Sequence, residues 1–373
     1  MYQKIAAFSA PCVAIAMVLS LLNGAAMAGP VGFDQINLIS NIPGEAAVTD
    51  PSLLNPWGIS NSATSPFWVA DQAANVSTLY SAAGVKNSLV VSVAGGPTGT
   101  VFNSAGAGNF LDGGTPASFI FGTLSGSIYA WNAGNVTTAQ LQASTAGATF
   151  TGLALDSNGA ANFLYAANNT LSGGIDVFNS SFAPATLAGN FVDPSLPAGY
   201  EPFNIQNIGG LLYVEYNLAG VFEGTRGAGL GAVSVFDANG NFIKELISPG
   251  GQLNDPWGVV MAPANFGSLS GDLLVGNFGN GEINAFNPTT GAFVGTLDGT
   301  GGTPLVNSGL WALAVSPTAP NAVYFTAGVN GQKDGLFGDF VAAPEPGSLV
   351  LAGVGCLALA WVARRRVTAK TRC

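Results

Sequence analysis

The sequence contains no histidine, and its three cysteines, Cys12, Cys356 and Cys373, lie near its two ends. The stretch from Gly29 to Ala343 therefore has neither an imidazole nor a thiol. This excludes Ser-His-Asp triads, cysteine nucleophiles, Cys/His metal sites and disulfide-stapled folds from that stretch. Carboxylates and amides remain, and these bind hard cations such as Ca²⁺ through oxygen or pair for glycoside cleavage.

Positive charge is also scarce. Between Gly29 and Ala343 there are four basic residues against 19 acidic ones, so that stretch has a net charge of −15. It lacks the cationic side chains that neutralise phosphate, which excludes nucleic acids and anionic lipid surfaces as partners.

The N-terminus has the pattern of a secretory signal peptide. Lys4 precedes an apolar run over residues 12–22, which is too short to span a bilayer, and Ala26 and Ala28 form the small-residue site that signal peptidase reads. We predict a signal helix within residues 1–28 that is cleaved after export. The alternative is an uncleaved N-terminal membrane helix.

The C-terminus carries a second apolar run. Residues 348–363 are 16 residues without a charge, which as a helix would span about 24 Å, less than the roughly 30 Å of a hydrocarbon core. Arg364, Arg365 and Arg366 follow, and such a positive flank resists translocation. We predict a single hydrophobic helix that holds the precursor at the membrane, with the rest of the chain outside.

Between the termini the chain is typical of an all-β protein. Its 52 glycines and its Asn-Gly, Asp-Gly and Gly-Gly pairs interrupt short runs of β-branched and aromatic residues. Pro-Trp-Gly recurs at 56–58 and 256–258, and weaker versions at 150–155, 201–206 and 309–315 give a period of about fifty residues. Four short strands per period are typical of a propeller blade.

Six such units fit between residues 29 and 341. The sixth begins near Leu310 and lacks an outer strand, whereas residues 33–41 form an unassigned strand at the start. We therefore predict a six-bladed β-propeller closed by this N-terminal strand, because a closed ring protects its edges.

These motifs resemble two known groups. The Pro-Trp-Gly strand followed by an aromatic-Val-Ala-Asp strand resembles NHL-type six-bladed propellers over residues 34–341. The tail over residues 342–373 resembles the PEP-CTERM family in a Pro-Glu-Pro motif, an apolar run and an arginine cluster; the matching residues are Pro344, Glu345, Pro346, Arg364, Arg365 and Arg366. That resemblance implies sorting by an exosortase in bacteria that make exopolysaccharide, with removal of the tail.

Carboxylates and amides near the ends of the second strands are candidate metal ligands. In blades one, three, four and five these are Asp71, Asn168, Glu215 and Asn277, an oxygen set that resembles that of calcium-dependent propeller lactonases. The alternative is that these side chains bond turn backbones, as Asx residues commonly do.

An irregular segment over residues 217–231 interrupts blade four, and long loops are where specific binding is commonly found. Glu201, Glu223 and Arg226 lie in or near it, so we predict that they bind a ligand. The alternative is that this segment is a solvated crossover between strands. Trp57, Trp257 and Trp311 are either sugar-stacking residues or packing between blades.

Two functions fit the sequence. The first is a non-catalytic binding or structural module of the extracellular matrix or cell envelope, with exopolysaccharide as a possible partner. The second is a Ca²⁺-dependent lactonase-like hydrolase or a glycan lyase, using Asp71 and Glu215. Propellers host both classes, so the fold does not decide between them.

Overall fold

Short strands make up almost all of the regular structure in the computed structural model, which describes residues 32–171 and 173–344. The strands are β1 (Phe33–Ser40), β2 (Val48–Thr49), β3 (Pro56–Ser60), β4 (Phe67–Asp71), β5 (Val76–Tyr80), β6 (Lys86–Ser92), β7 (Pro97–Phe102), β8 (Leu111–Asp112), β9 (Thr115–Pro116), β10 (Phe119–Thr123), β11 (Ser127–Trp131), β12 (Gln140–Ser144), β13 (Phe150–Ser157), β14 (Asn162–Asn168), β15 (Ile175–Asn179), β16 (Tyr200–Ile208), β17 (Leu211–Leu218), β18 (Gly231–Phe236), β19 (Phe242–Ile247), β20 (Pro256–Met261), β21 (Leu273–Asn277), β22 (Ile283–Phe286), β23 (Phe293–Thr296), β24 (Leu310–Ser316), β25 (Ala319–Ala327) and β26 (Leu336–Ala342). The short helical turns are Gln72–Ala74, Ala133–Asn135, Gly267–Leu269 and α1 (Val329–Gln332).

These strands form six blades, antiparallel except for the short parallel pair β1–β2 in blade six, and one two-stranded hairpin, β8–β9. The blades are β3–β6, then β7 with β10–β12, β13–β15, β16–β19, β20–β23, and β24–β26 with β1 and β2. Each innermost strand contacts that of the next blade, and β24 contacts β3. The predicted six-bladed propeller is therefore confirmed.

The N-terminal strand closes the ring as predicted. β1 pairs antiparallel with β26, from Phe33 opposite Ala342 to Ser40 opposite Leu336. The sixth blade therefore takes an outer strand from the other end of the same propeller, which joins the first and last segments by backbone hydrogen bonds.

Blade three departs from the predicted four strands. It has three, and the segment after β15 makes only an isolated bridge between Phe178 and Pro184. Asn179 N–H donates to Ala183 O at 2.9 Å and Ala185 N–H donates to Val177 O at 2.8 Å, but the pairing does not extend beyond this bridge into a fourth strand.

The repeated Pro-Trp-Gly motif opens the innermost strands. Proline at the first position of a strand costs no ladder hydrogen bond. The glycine allows the next blade to approach, because a Cβ on Gly58 would lie 2.4 Å from the Thr98 carbonyl oxygen and one on Gly258 would lie 2.4 Å from that of Trp311. Apolar clusters then fill all six junctions between neighbouring blades.

Candidate functional site

The propeller has two distinct ends. At one end the innermost strands begin and the second strands finish, and the blade-four insertion, residues 219–230, joins β17 to β18 there. We call this end the insertion face. The innermost strands finish at the opposite face.

Aromatic rings fill the central channel between the two ends. Trp57 stacks on Trp311 with ring centroids 3.5 Å apart, and Trp257 packs edge-on against Trp57 at 6.2 Å. Phe203, in the blade opposite Trp57, lies 6.4 Å from it. All four rings are buried. The tryptophans therefore pack across the axis as well as between neighbouring blades, and none offers a face for a sugar.

The insertion covers this aromatic plug. The Arg226 guanidinium lies 4.2 Å from the centroid of the Phe278 ring, which stacks on Trp311 at 4.0 Å. Arg226 also lies 3.5 Å from the Glu223 carboxylate, which accepts a hydrogen bond of 2.6 Å from Gln332 Nε2 in blade six. Glu223 and Arg226 therefore lie together, and Glu223 ties the blade-four insertion to blade six, while ligand binding by these residues stays a prediction.

Beside the plug, two equivalent positions differ in their partners. Asn55 accepts a hydrogen bond from Trp311 Nε1 at 3.0 Å and donates to two glutamine side chains. Asp255 is the same position in blade five, but neither of its buried oxygens has a hydrogen-bond partner in residues 32–171 and 173–344. The residue equivalent to Trp311 in the blade that precedes blade five is Phe203. Phenylalanine has no N–H, so it cannot donate the hydrogen bond that Asn55 receives from Trp311.

Asp255 is consequently difficult to ionise. Burial raises its pKa to about 7, partly opposed by the nearby amide of Asn217 and the charge of Arg226, while Glu223 reinforces the rise. Asn217 Nδ2 is itself buried without a partner in hydrogen-bond geometry among the described residues.

Three of the four predicted metal ligands accept hydrogen bonds from backbone N–H groups of their own blade at the insertion face. Asp71 Oδ2 accepts from Thr78 N and Oγ1, at 3.0 and 2.7 Å. The amide oxygen of Asn168 accepts from the N–H of Thr149, and that of Asn277 from the N–H of Asn254. This is the alternative role described above.

Glu215 is not equivalent to the other three predicted ligands. By strand register it corresponds to Gly276 of blade five, one residue before the predicted ligand Asn277. It is fully buried, neither oxygen has a hydrogen-bond partner among the residues that the structure describes, and burial raises its pKa well above the ordinary value. Within the described part of the chain, no group of three or more acidic side chains is arranged to hold a metal ion. The calcium site stays a prediction.

Glu201 lies beside the first part of the blade-four insertion. It lines a cavity of about 260 Å³ between blades three and four, which we call the insertion cavity and which is bounded by Asn169, Thr170, Leu171, Glu201, Gly220, Val221 and Phe222. Phe222 is 58% exposed and Val221 67%. Asn169 is held by donating to Pro202 O and Asn217 Oδ1, both at 3.1 Å. Burial raises the pKa of Glu201.

Sequence reasoning missed three of these residues. The signal for Asp255 is the change from Asn-Pro-Trp-Gly in blade one to Asp-Pro-Trp-Gly in blade five. The absence of a donor for Asp255 follows from Phe203 in another blade, which the motif does not show. Asn169 and Phe222 carry no repeat signal, since each lies in a loop that differs from blade to blade.

The predicted processing sites fall largely outside the described residues. Pro344 is described and is exposed, but the following do not belong to the described part: Ala26, Ala28, Glu345, Pro346, Arg364, Arg365 and Arg366. The signal helix and the C-terminal helix also lie there. Residues 32–171 and 173–344 include no helix with the length and hydropathy needed to cross a bilayer.

Residues 342–366 match the PEP-CTERM protein-sorting motif. Together with the six blades, this match defines an exported β-propeller protein that exosortase-type sorting machinery recognises.

The propeller sequence also has relatives in a virus. An uncharacterized protein of Acanthamoeba polyphaga mimivirus is 35% identical over 325 residues, covering 81% of this chain and 78% of its own, and a second is 33% identical over 328 residues, covering 82% and 84%. The chain belongs to the same family as these proteins. Among solved structures, a protein of unknown function from Bacteroides thetaiotaomicron superposes with a TM-score of 0.53 at 12% identity, over 83% of this chain and 75% of that one. At that identity the likeness concerns the fold.

Proposed function

We propose that this protein is an exported binding module of the extracellular matrix or cell envelope, and that it binds polysaccharide through the insertion cavity. Residues 1–28 act as the signal peptide, residues 29–341 as the binding propeller, and residues 342–373 as a disposable sorting tail. The tail tethers the precursor at the inner membrane until an exosortase processes it near Pro-Glu-Pro.

The insertion cavity carries this proposal. Phe222 offers an exposed aromatic face, which suits the apolar face of a sugar ring. The Glu201 carboxylate and the positioned Asn169 amide lie in the same cavity and suit hydroxyl groups. The central tryptophans are buried, so Phe222 takes the stacking role considered for them.

Titration calorimetry of the purified protein with exopolysaccharide fragments from the producing organism tests the proposal. We expect Phe222→Ser and Glu201→Gln each to weaken binding at least tenfold. Val306→Ser and Glu45→Gln are matched controls, because both residues are exposed and lie outside the cavity. Equal affinity in Phe222→Ser and Val306→Ser would contradict the proposal.

A second candidate is the hydrolase or lyase, and the acidic pair at the mouth favours it. Asp255 has a pKa near 7, suited to proton transfer, and Glu223 is close enough to influence it. Release of reducing or unsaturated ends from the polysaccharide, lost in Asp255→Asn, would support this function. A thermal shift with Ca²⁺ that disappears in Asp71→Ala and Glu215→Ala would support the calcium-dependent form, whereas no response would weaken it.

A further inference from the structure

A second cavity opens on the face opposite the insertion. Its volume is about 340 Å³, and it lies where the innermost strands of blades one, four, five and six finish. A narrow space continues from it toward the aromatic plug and reaches Asn204 and Trp257. We call the wider part the opposite-face cavity. Its size is at the lower end of the roughly 300–1,000 Å³ found for small-ligand pockets.

The lining of this cavity is partly aliphatic and partly polar. Ile59, Val259 and Leu313, from three different blades, supply aliphatic side chains, while Asn61 and Gln206 supply amides and Gln206 also borders the narrow space. None of the lining residues is charged, although the surrounding protein has a net charge of −15. An ionic ligand would therefore lose its hydration without gaining a counter-charge.

The side-chain amides of Asn61 and Gln206 have unused hydrogen-bonding groups. In the described part of the chain Gln206 has no hydrogen-bond partner for its side chain, and Asn61 only donates at 3.3 Å to the carbonyl of its neighbour Ser62. They belong to blades four and one, which are opposite each other in a ring of six. The neighbouring Asn207, in contrast, is fixed by Leu155 O and Gly210 N.

From this arrangement we propose that the opposite-face cavity binds an uncharged, amphipathic small molecule, whose apolar flank packs on the aliphatic side chains and whose polar groups bond Gln206 and Asn61. This site is separate from the insertion cavity and does not rest on the function proposed for it.

Two dyes with the same aromatic skeleton test this inference on the purified protein. N-phenyl-1-naphthylamine is neutral and has one N–H, and 1-anilinonaphthalene-8-sulfonate adds a negative charge. Both are titrated by fluorescence in 0.5 M NaCl, where the net charge of the protein is screened. We expect saturable 1:1 binding of the neutral dye and at least tenfold weaker binding of the sulfonate.

Three variants locate the bound dye. Val315→Arg places a charge in the cavity and is expected to weaken binding of the neutral dye at least tenfold, whereas Val306→Arg, at an exposed valine outside the cavity, leaves it unchanged. Gln206→Lys is expected to raise the affinity for the sulfonate while the binding stays saturable at 1:1, whereas a partly unfolded variant would bind several dye molecules on its exposed apolar surface.

Three results would overturn the inference. The first is equal affinity for the two dyes, and the second is binding that Val315→Arg leaves unaffected. The third is that Phe222→Ser abolishes binding of the neutral dye, which would place the dye in the insertion cavity instead.

Discussion

Replacing Asp255 with asparagine should stabilise this protein at alkaline pH and leave it nearly unchanged in acid. The carboxyl is buried, and neither oxygen has a hydrogen-bond partner among the described residues. Asparagine keeps the shape of the side chain, and it also suits the left-handed backbone of this position (φ 56°). The substitution therefore removes the cost of ionisation while preserving the packing.

The magnitude follows from the pKa of Asp255, which burial raises from 3.8 to about 7. Because the folded pKa lies above the unfolded one, the folded protein retains a proton that the unfolded chain releases between about pH 4 and 7. The free energy of unfolding therefore falls as the pH rises through this window. At 1.36 kcal/mol per pH unit, the loss is about 4 kcal/mol at pH 8.

Urea denaturation at pH 4, 6 and 8, followed by the fluorescence of the buried tryptophans, measures this effect. We expect the free energy of unfolding of Asp255→Asn to exceed that of the wild type by about 4 kcal/mol at pH 8 and by less than about 1 kcal/mol at pH 4. Glu45→Gln, at an exposed carboxylate, should show no such divergence. A stability difference that stays constant from pH 4 to pH 8 would refute the reasoning.

Three further predictions concern the ring itself. Gly258→Ala should be strongly destabilising in urea because its Cβ would lie 2.4 Å from the Trp311 carbonyl oxygen. Gly295→Ala should be tolerated, since no atom lies within 4 Å of the added Cβ. Equal urea midpoints for the two variants would contradict the packing argument. Trp311→Ala should lower the free energy of unfolding by about 3–5 kcal/mol, since it removes two stacking contacts and leaves the Asn55 oxygen unpaired; a loss below about 1 kcal/mol would argue against a filled channel. Deleting β1 should expose the edge of β26 and cause aggregation in light scattering, and a monomeric variant with unchanged melting would show that ring closure contributes little.

The sequence by itself determined the fold class, the number of blades and the closing strand. Turn residues act locally, and a period of about fifty residues places each set of strands without reference to distant parts of the chain. The missing outer strand of blade six and the unassigned strand at 33–41 could be matched for the same reason. The fourth strand of blade three could not be excluded from the period alone, because the period does not show how far the segment after β15 pairs with it.

Only the tertiary structure decided what the repeated side chains do. The tryptophans occupy the same position in each repeat. Whether they face a ligand, a neighbouring blade or the opposite blade depends on the diameter of the closed ring. Asn55 and Asp255 differ by one amide group in sequence, and their environments differ because Trp311 precedes one blade and Phe203 the other. Contacts between residues from different blades set burial and hydrogen bonding at the site, so a local pattern could not supply them.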